Sequence, residues 1–168
     1  DILTQISAMT TAEIRSLSST NVSALTTDQI VALDSNQVAA LTTAQVRALE
    51  TDQIAAIETA DLRAMGTAQI QALATAQVAA LTTDQVQALT TAEIRALNTA
   101  NVQAMTTDQV VALDSAQVGA LTTGQLRALT TSQVAAIETA DLAGLSTTSV
   151  RALETDDVKA LTTDQVVA

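Results

Sequence analysis

The chain has 168 residues, of which 18 are acidic, seven are basic and none is histidine, so its formal net charge is −11. It contains no cysteine, proline or aromatic residue, although 48% of its residues are hydrophobic. This composition excludes disulfides, thiolate or imidazole chemistry and aromatic surfaces for base stacking. The negative charge disfavours nucleic acid and anionic lipid as partners. No apolar run is long enough for a membrane span. From the charge and the absence of such a run, we expect neither nucleic-acid binding nor membrane insertion.

After a start at Asp1, Ile2 and Leu3 that departs from the pattern, an eight-residue repeat runs without insertion from Thr10 to Ala168. We count the positions of each octad from Thr10. Position two is Thr or Ser in every octad, position five is Val, Ile or Leu, and position eight is Leu, Ile or Met. Position seven is Ala and position four is an amide or acid with few exceptions, whereas positions three and six vary.

Local signals in each octad predict one short helix. In the octad that begins at Thr82, this residue can act as N-cap and Gln85 as its capping-box partner. Leu81 and Val86 have the spacing of a hydrophobic staple, and Asp84 lies in the first turn, where the helix dipole favours an acid. Each octad is therefore expected to form a helix of about six residues.

The invariant Thr or Ser at position two needs a separate explanation. It is more constrained than position one, and the capping box does not account for it. Two interpretations remain open: position two is the true N-cap, or its hydroxyl and methyl bridge neighbouring octads.

Other structures fit the period less well. In a continuous helix, eight residues overshoot two turns by about 80°, so the apolar stripe would wind around the helix. In a strand, positions five and seven would share a face that excludes position eight. A β-solenoid remains the lesser alternative, because Ala, Leu, Gln and Glu favour helix and turn-forming residues are scarce.

A single octad is too short to fold alone, since isolated helices below about 12 residues are marginal in water. Stacked neighbours must complete its core, as in a solenoid. The predicted fold is therefore an all-α solenoid or superhelix of very short helices, with a core formed by positions five, seven and eight.

The basic residues suggest how many helices form one coil. All lie at position six, and all but Arg151 lie in the same set of alternate octads. The members of that set are Arg15, Arg47, Arg63, Arg95, Arg127 and Lys159. Alternation of this kind predicts two helices, or 16 residues, per coil. A row of basic side chains down one side is most simply a solvated face.

A longer repeat of 80 residues lies over the octads. Residues 10–89 and 90–168 match at 52 of 79 aligned positions, which indicates duplication of a ten-octad block. Because no linker or change of composition separates the halves, we expect residues 1–168 to form a single continuous array, and we expect that array to be part of a longer repeat tract.

The sequence offers no catalytic, cofactor-binding or metal-binding residue. Asp156 and Asp157 are adjacent, but neighbours on a helix do not face each other. The chain lacks a base for a Ser or Thr nucleophile, and it contains no calcium-loop or phosphate-loop pattern. We therefore expect that the protein is not an enzyme. Its regular threonines fit helix capping, with ice binding as a minor alternative.

The octad Thr-Thr-x-Gln-Val/Ile-x-Ala-Leu, over residues 10–168, resembles the octapeptide-repeat tracts of very large proteobacterial secreted or surface proteins, often described as adhesin-like. The resemblance implies an acidic extracellular or cell-surface array without catalytic residues, flanked by other domains of its parent protein. The expected function is a spacer or stalk. The alternative is a solenoid scaffold that binds a peptide, glycan or partner protein through positions three and six.

Overall fold

A computed structural model describes residues 2–168, with side chains from Gln5 onward. This part of the chain forms 21 helices of four to six residues and no strand. The prediction of an all-α solenoid with one short helix per octad is confirmed, and the β-solenoid alternative is wrong. None of the helices in residues 2–168 is long and apolar enough to cross a membrane.

The helices follow one another at intervals of eight residues. In the first half they are α1 (Ile2–Ser7), α2 (Thr11–Ser16), α3 (Ser19–Ser23), α4 (Thr27–Val31), α5 (Ser35–Ala40), α6 (Thr43–Ala48), α7 (Thr51–Ala56), α8 (Thr59–Leu62), α9 (Thr67–Ala72), α10 (Thr75–Ala80) and α11 (Thr83–Ala88). In the second half they are α12 (Thr91–Ala96), α13 (Thr99–Ala104), α14 (Thr107–Val111), α15 (Ser115–Ala120), α16 (Thr123–Ala128), α17 (Thr131–Ala136), α18 (Thr139–Leu142), α19 (Thr147–Ala152), α20 (Thr155–Ala160) and α21 (Thr163–Val167).

The N-cap of each helix from α2 onward is the residue at position one. In the capping box of α11, the Oγ1 of Thr82 accepts a hydrogen bond from the Gln85 backbone N–H at 3.1 Å. The Gln85 Oε1 accepts one from the Thr82 N–H at 2.9 Å. The capping box predicted for this octad is confirmed, and it satisfies two N–H groups that the helix leaves free.

Position two is the first residue of each helix from α2 onward, so the interpretation that it is the N-cap is wrong. The hydroxyl of Thr83, for example, is exposed and forms no hydrogen bond within the described residues. Among the described position-two residues, Ser35 alone joins octads through its hydroxyl, by donating to Asp61. The fold therefore does not explain why position two is invariant.

Each helix packs on the helix three places further along the chain. α10 contacts α7 and α13, and the same interval holds from the pair α1·α4 to the pair α18·α21. The predicted coil of two helices, or 16 residues, is therefore wrong. A chain reversal after each helix commonly uses a left-handed residue, and no residue between positions 2 and 168 has positive φ.

One apolar column runs through the superhelix. Position-five side chains from Ile14 to Val134 are 0–2% exposed, and most position-eight side chains in this range are also buried. The core prediction is confirmed for these two positions. Position seven contributes less, because most of its Ala side chains are half-buried against the edge of the column. Position four, which was not expected in the core, is buried in most octads.

Candidate functional surface

The buried residue at position four links octads that are four apart in the chain. Gln85, which is 2% exposed, uses its Oε1 in the capping box and donates through Nε2 to two distant carbonyl groups. The acceptors are the Ile54 oxygen at 2.8 Å and the Ile57 oxygen at 2.7 Å, 31 and 28 residues earlier. These carbonyls lie near the C-terminal end of α7, where a helix leaves its C=O groups without intrahelical partners.

Eleven glutamines make this double contact, and we call them the glutamine ladder. They are Gln37, Gln45, Gln53, Gln69, Gln77, Gln85, Gln109, Gln117, Gln125, Gln133 and Gln165. Each member therefore satisfies its own helix N-terminus and the C-terminus of an earlier helix. Since packing joins helices three apart and the ladder joins octads four apart, one coil contains between three and four octads.

Sequence reasoning identified position four only as a capping-box partner and missed the ladder. A signal was present, however. A capping box needs only the side-chain oxygen at position four, so Glu serves as well as Gln. Position four is Gln in twelve octads and Glu in two, a bias that indicates a use for the amide N–H₂ group as well.

Three of the buried residues at position four carry a carboxyl group, whereas most of the others carry an amide. Asp61 is 7% exposed and accepts a hydrogen bond from the Ser35 hydroxyl at 2.6 Å. Asp157 is 5% exposed and accepts from the Glu154 N–H at 3.1 Å, whereas its neighbour Asp156 is exposed. Glu93 is 2% exposed, and burial raises its pKa above 4.5. No cluster of metal-ligating side chains occurs in the described residues.

The basic residues at position six lie on the exposed face, as expected. Two of them also reach the next coil. The Nε of Arg47 donates to the Ala72 oxygen at 3.2 Å, and that of Arg127 donates to the Ala152 oxygen at 3.4 Å. Each guanidinium thus meets the C-terminal end of the helix three places on, where the helix dipole favours a cation. These arginines support the stack rather than forming a continuous basic stripe.

The outer faces of the superhelix are made of small side chains. Position three is exposed in every octad from Ala12 to Asp164. A largely apolar cavity of about 370 Å³ lies towards the C-terminal end of the described residues and is lined by residues such as Val150 and Val158. Both valines occupy position five and are about half exposed. This cavity is thus an uncovered section of the apolar column.

The repeat identifies the family. The model of the ALTTAQ repeat matches six times, over residues 4–35, 31–57, 54–91, 91–123, 110–136 and 134–168. The chain belongs to the ALTTAQ repeat family. The matches cover nearly the whole chain and support the repeat tract inferred from the octad, and a search of the curated proteins found no match. Family and fold together describe a structural repeat region.

Proposed function

We propose that this ALTTAQ tract is a rigid, non-catalytic spacer or stalk that separates other domains of a larger secreted or cell-surface bacterial protein. The observation that carries the proposal is the uniform linkage of the octads. Nearly every octad packs on the one three places on, and the glutamine ladder joins it to the one four places on. A body built this way grows in length with octad number, as repeat arrays do.

The surface also favours a spacer over a specific binding scaffold. Positions three and six are exposed and vary from octad to octad, and they carry no aromatic residue and few arginines. Tight protein interfaces usually depend on buried aromatic or arginine anchors. A scaffold for a peptide or glycan would also need a groove that repeats along the array, whereas the clefts around Arg47 and Arg15 adjoin each other through Thr43 and Ala68.

The spacer proposal can be tested by a distance between two labels. The chain has no cysteine, so Ala12→Cys with Asp164→Cys places spin labels at two exposed position-three sites. These sites lie 19 octads apart, which corresponds to about five or six coils at about 8–10 Å each. We expect a narrow distance distribution centred at about 40–60 Å. A matched variant that also lacks residues 66–89, three octads, should shorten the distance by about 6–10 Å.

A broad distribution in the full chain would contradict a rigid spacer. An unchanged distance after removal of the three octads would show that length does not follow octad number, and would also contradict it. Small-angle scattering gives an independent measure, since a compact chain of this length has a radius of gyration of about 15 Å and the superhelix is expected to reach about 18 Å.

One observation favours ice binding as a second candidate. The threonine row, which we define as the position-two residues from Thr11 to Thr163, is exposed except at Ser35, and its hydroxyls are not used for capping. Because one coil contains between three and four octads, these hydroxyls recur at regular intervals around and along the superhelix. Regularly spaced, exposed threonines on a rigid solenoid are the feature on which ice binding depends. Thermal hysteresis of the full chain tests this function. A freezing point equal to the melting point, with unshaped ice crystals, would exclude it.

A further inference from the structure

One buried residue at position four, Glu93, has a carboxyl group in place of the amide that donates hydrogen bonds in the glutamine ladder. Glu93 lies in α12, and its Oε2 accepts hydrogen bonds from the Thr90 N–H at 2.6 Å and the Thr90 hydroxyl at 2.9 Å. The other carboxyl oxygen, Oε1, is buried and has no hydrogen-bond partner. Within the described residues it is the single buried side-chain oxygen or nitrogen in this state. An unsatisfied buried polar atom of this kind requires an explanation.

The glutamine ladder indicates which groups face this oxygen. Gln85 and Gln125, in nearby octads, donate to carbonyl oxygens 28 and 31 residues earlier. The residues at these intervals before Glu93 are Met65 and Leu62. Neither of their carbonyl oxygens accepts a side-chain hydrogen bond within the described residues. An ionised carboxylate has no proton to donate, and its negative charge would be repelled by the partial negative charge on both carbonyl oxygens.

We propose that Glu93 binds a proton in the folded array and donates a hydrogen bond from its carboxyl to the carbonyl oxygen of Leu62 or Met65. The proton takes the place of the amide hydrogen that Gln supplies in the ladder. The link between the octads of α8 and α12 is then intact at acidic pH and is weakened when Glu93 ionises.

Among the effects on the pKa of Glu93, burial is larger than the effect of the surrounding charges. α9 and α15, the helices that pack on α12, contain no ionisable residue, and Asp114 caps α15. Arg95 lies on α12 itself and Arg63 follows α8. α8 also contains Asp61 and is capped by Glu58. α16, whose Gln125 donates to carbonyl oxygens at the end of α12, contains Arg127. Burial raises the pKa of Glu93 above 4.5, although the hydrogen bonds from Thr90 and the positive charge of Arg63 act in the opposite direction.

The direction of the pH effect follows from this rise. Because the folded state holds the Glu93 proton more strongly than the unfolded state does, the stabilising contribution is fully present below the unfolded pKa. It is lost as the pH increases through the higher, folded pKa.

The chain contains a matched control. Glu13 occupies the equivalent octad 80 residues earlier, which differs only by Ser16 in place of Ala96, but Glu13 is exposed. Hydrogen bonds from the Thr10 N–H and hydroxyl lower its pKa. Glu13 therefore shares the capping geometry of Glu93 without the burial, so its stabilising contribution has the opposite pH dependence.

The experiment compares urea unfolding of the full chain and of Glu93→Gln and Glu13→Gln between pH 4 and pH 8. Glu93→Gln installs the residue of the glutamine ladder, which suits the site sterically. We expect it to raise the urea midpoint at pH 8 and to leave the midpoint unchanged at pH 4. Glu13→Gln should give no gain at pH 8. In the unmodified chain, the side-chain carboxyl carbon-13 signal of Glu93 should titrate above pH 4.5 and that of Glu13 below it.

Equal midpoints for Glu93→Gln and the unmodified chain at pH 8 would overturn the proposal. A gain of the same size at pH 4 and pH 8 would also overturn it, because the benefit would then come from the amide itself rather than from loss of an ionised carboxylate. A Glu93 carboxyl that titrates at or below pH 4.5 would contradict it directly, independently of any effect on stability.

Discussion

Two equivalent helix pairs, one in each 80-residue block, pack differently although their sequences are nearly the same. In the first block, α5 packs on α8 and the Ser35 hydroxyl donates to the Asp61 carboxylate at 2.6 Å. In the second block, α15 packs on α18, but the equivalent residues Ser115 and Asp141 form no such hydrogen bond. Burial and the nearby acidic residues raise the pKa of Asp141.

Two glycines account for the difference. Gly119 and Gly144 replace Ala39 and Ala64 of the first block. A Cβ atom on Gly144 would overlap the carbonyl oxygen of Ser115, and one on Gly119 would overlap the carbonyl of Gly144. The backbones of α15 and α18 therefore approach at a distance that the Ala pair cannot reach.

The comparison shows that the octad tolerates two ways of joining coils. Where side chains keep the helices apart, a polar contact spans the gap. Where both Cβ atoms are missing, direct backbone packing replaces that contact. The apolar column and the caps are common to both pairs, so substitutions can separate shared contributions to stability from those of one block.

The largest effect is expected at the shared core. Val38 in α5 and Val118 in α15 are 1% and 0% exposed. Val38→Asp and Val118→Asp each bury a carboxyl without a partner, and we expect either to cost about 4 kcal/mol or more in the free energy of unfolding by urea. Asn36→Asp and Ala116→Asp, on the exposed faces of the same helices, are controls and should change stability by less than about 0.5 kcal/mol. A strong asymmetry between the two core variants would mean that the column is not equivalent in the two blocks.

The polar contact should matter in the first block alone. Ser35→Ala leaves the buried carboxylate of Asp61 without its donor, and we expect a loss of about 1.5–3 kcal/mol in the free energy of unfolding. Ser115→Ala removes no hydrogen bond and should change the same quantity by less than about 0.5 kcal/mol. Equal losses for the two variants would show that Ser115 and Asp141 are joined in solution.

The close backbone approach predicts a penalty in the second block. Gly144→Ala places a methyl group against the Ser115 carbonyl, and we expect a cost of about 1–3 kcal/mol in the free energy of unfolding. Gly124→Ala is the matched control, since its Cβ would meet only the Thr122 hydroxyl oxygen at 3.9 Å. That control should stabilise the chain by about 0.5–1 kcal/mol, because Ala has a higher helix propensity than Gly. If both variants were stabilising, the tight packing of α15 on α18 would be wrong.

The smallest effects concern the caps. Ala74 occupies position one of the α10 octad and offers no side-chain acceptor. Ala74→Thr adds a hydroxyl that can accept from the Gln77 N–H, and we expect a gain of about 1 kcal/mol in urea unfolding. Thr75→Ala, at the adjacent exposed position two, should change stability by less than about 0.5 kcal/mol. A larger loss for Thr75→Ala would show that the threonine row stabilises the fold after all.

The sequence determined the helices, their caps and most of the core. These features depend on residues within one octad, such as Thr82 and Gln85, which meet across a single turn of helix. The spacing of three residues between apolar positions five and eight also determined which side of each helix is buried. Contacts between residues of the same octad can therefore be predicted directly from the repeat sequence.

Only the tertiary structure decided how many helices form a coil and what the second function of Gln is. The partners involved lie 24–31 residues apart, as between α10 and α13 or between Gln85 and Ile54. An octad with the same caps and core is compatible with two, three or four helices per coil. The spacing of the basic residues does not distinguish these numbers. Arg15 and Arg47, like most successive members of their set, are four octads apart, and an even interval fits two helices per coil as well as four. The choice depends on how neighbouring backbones pack and which buried carbonyls need a donor, and both properties exist only once the coils are stacked.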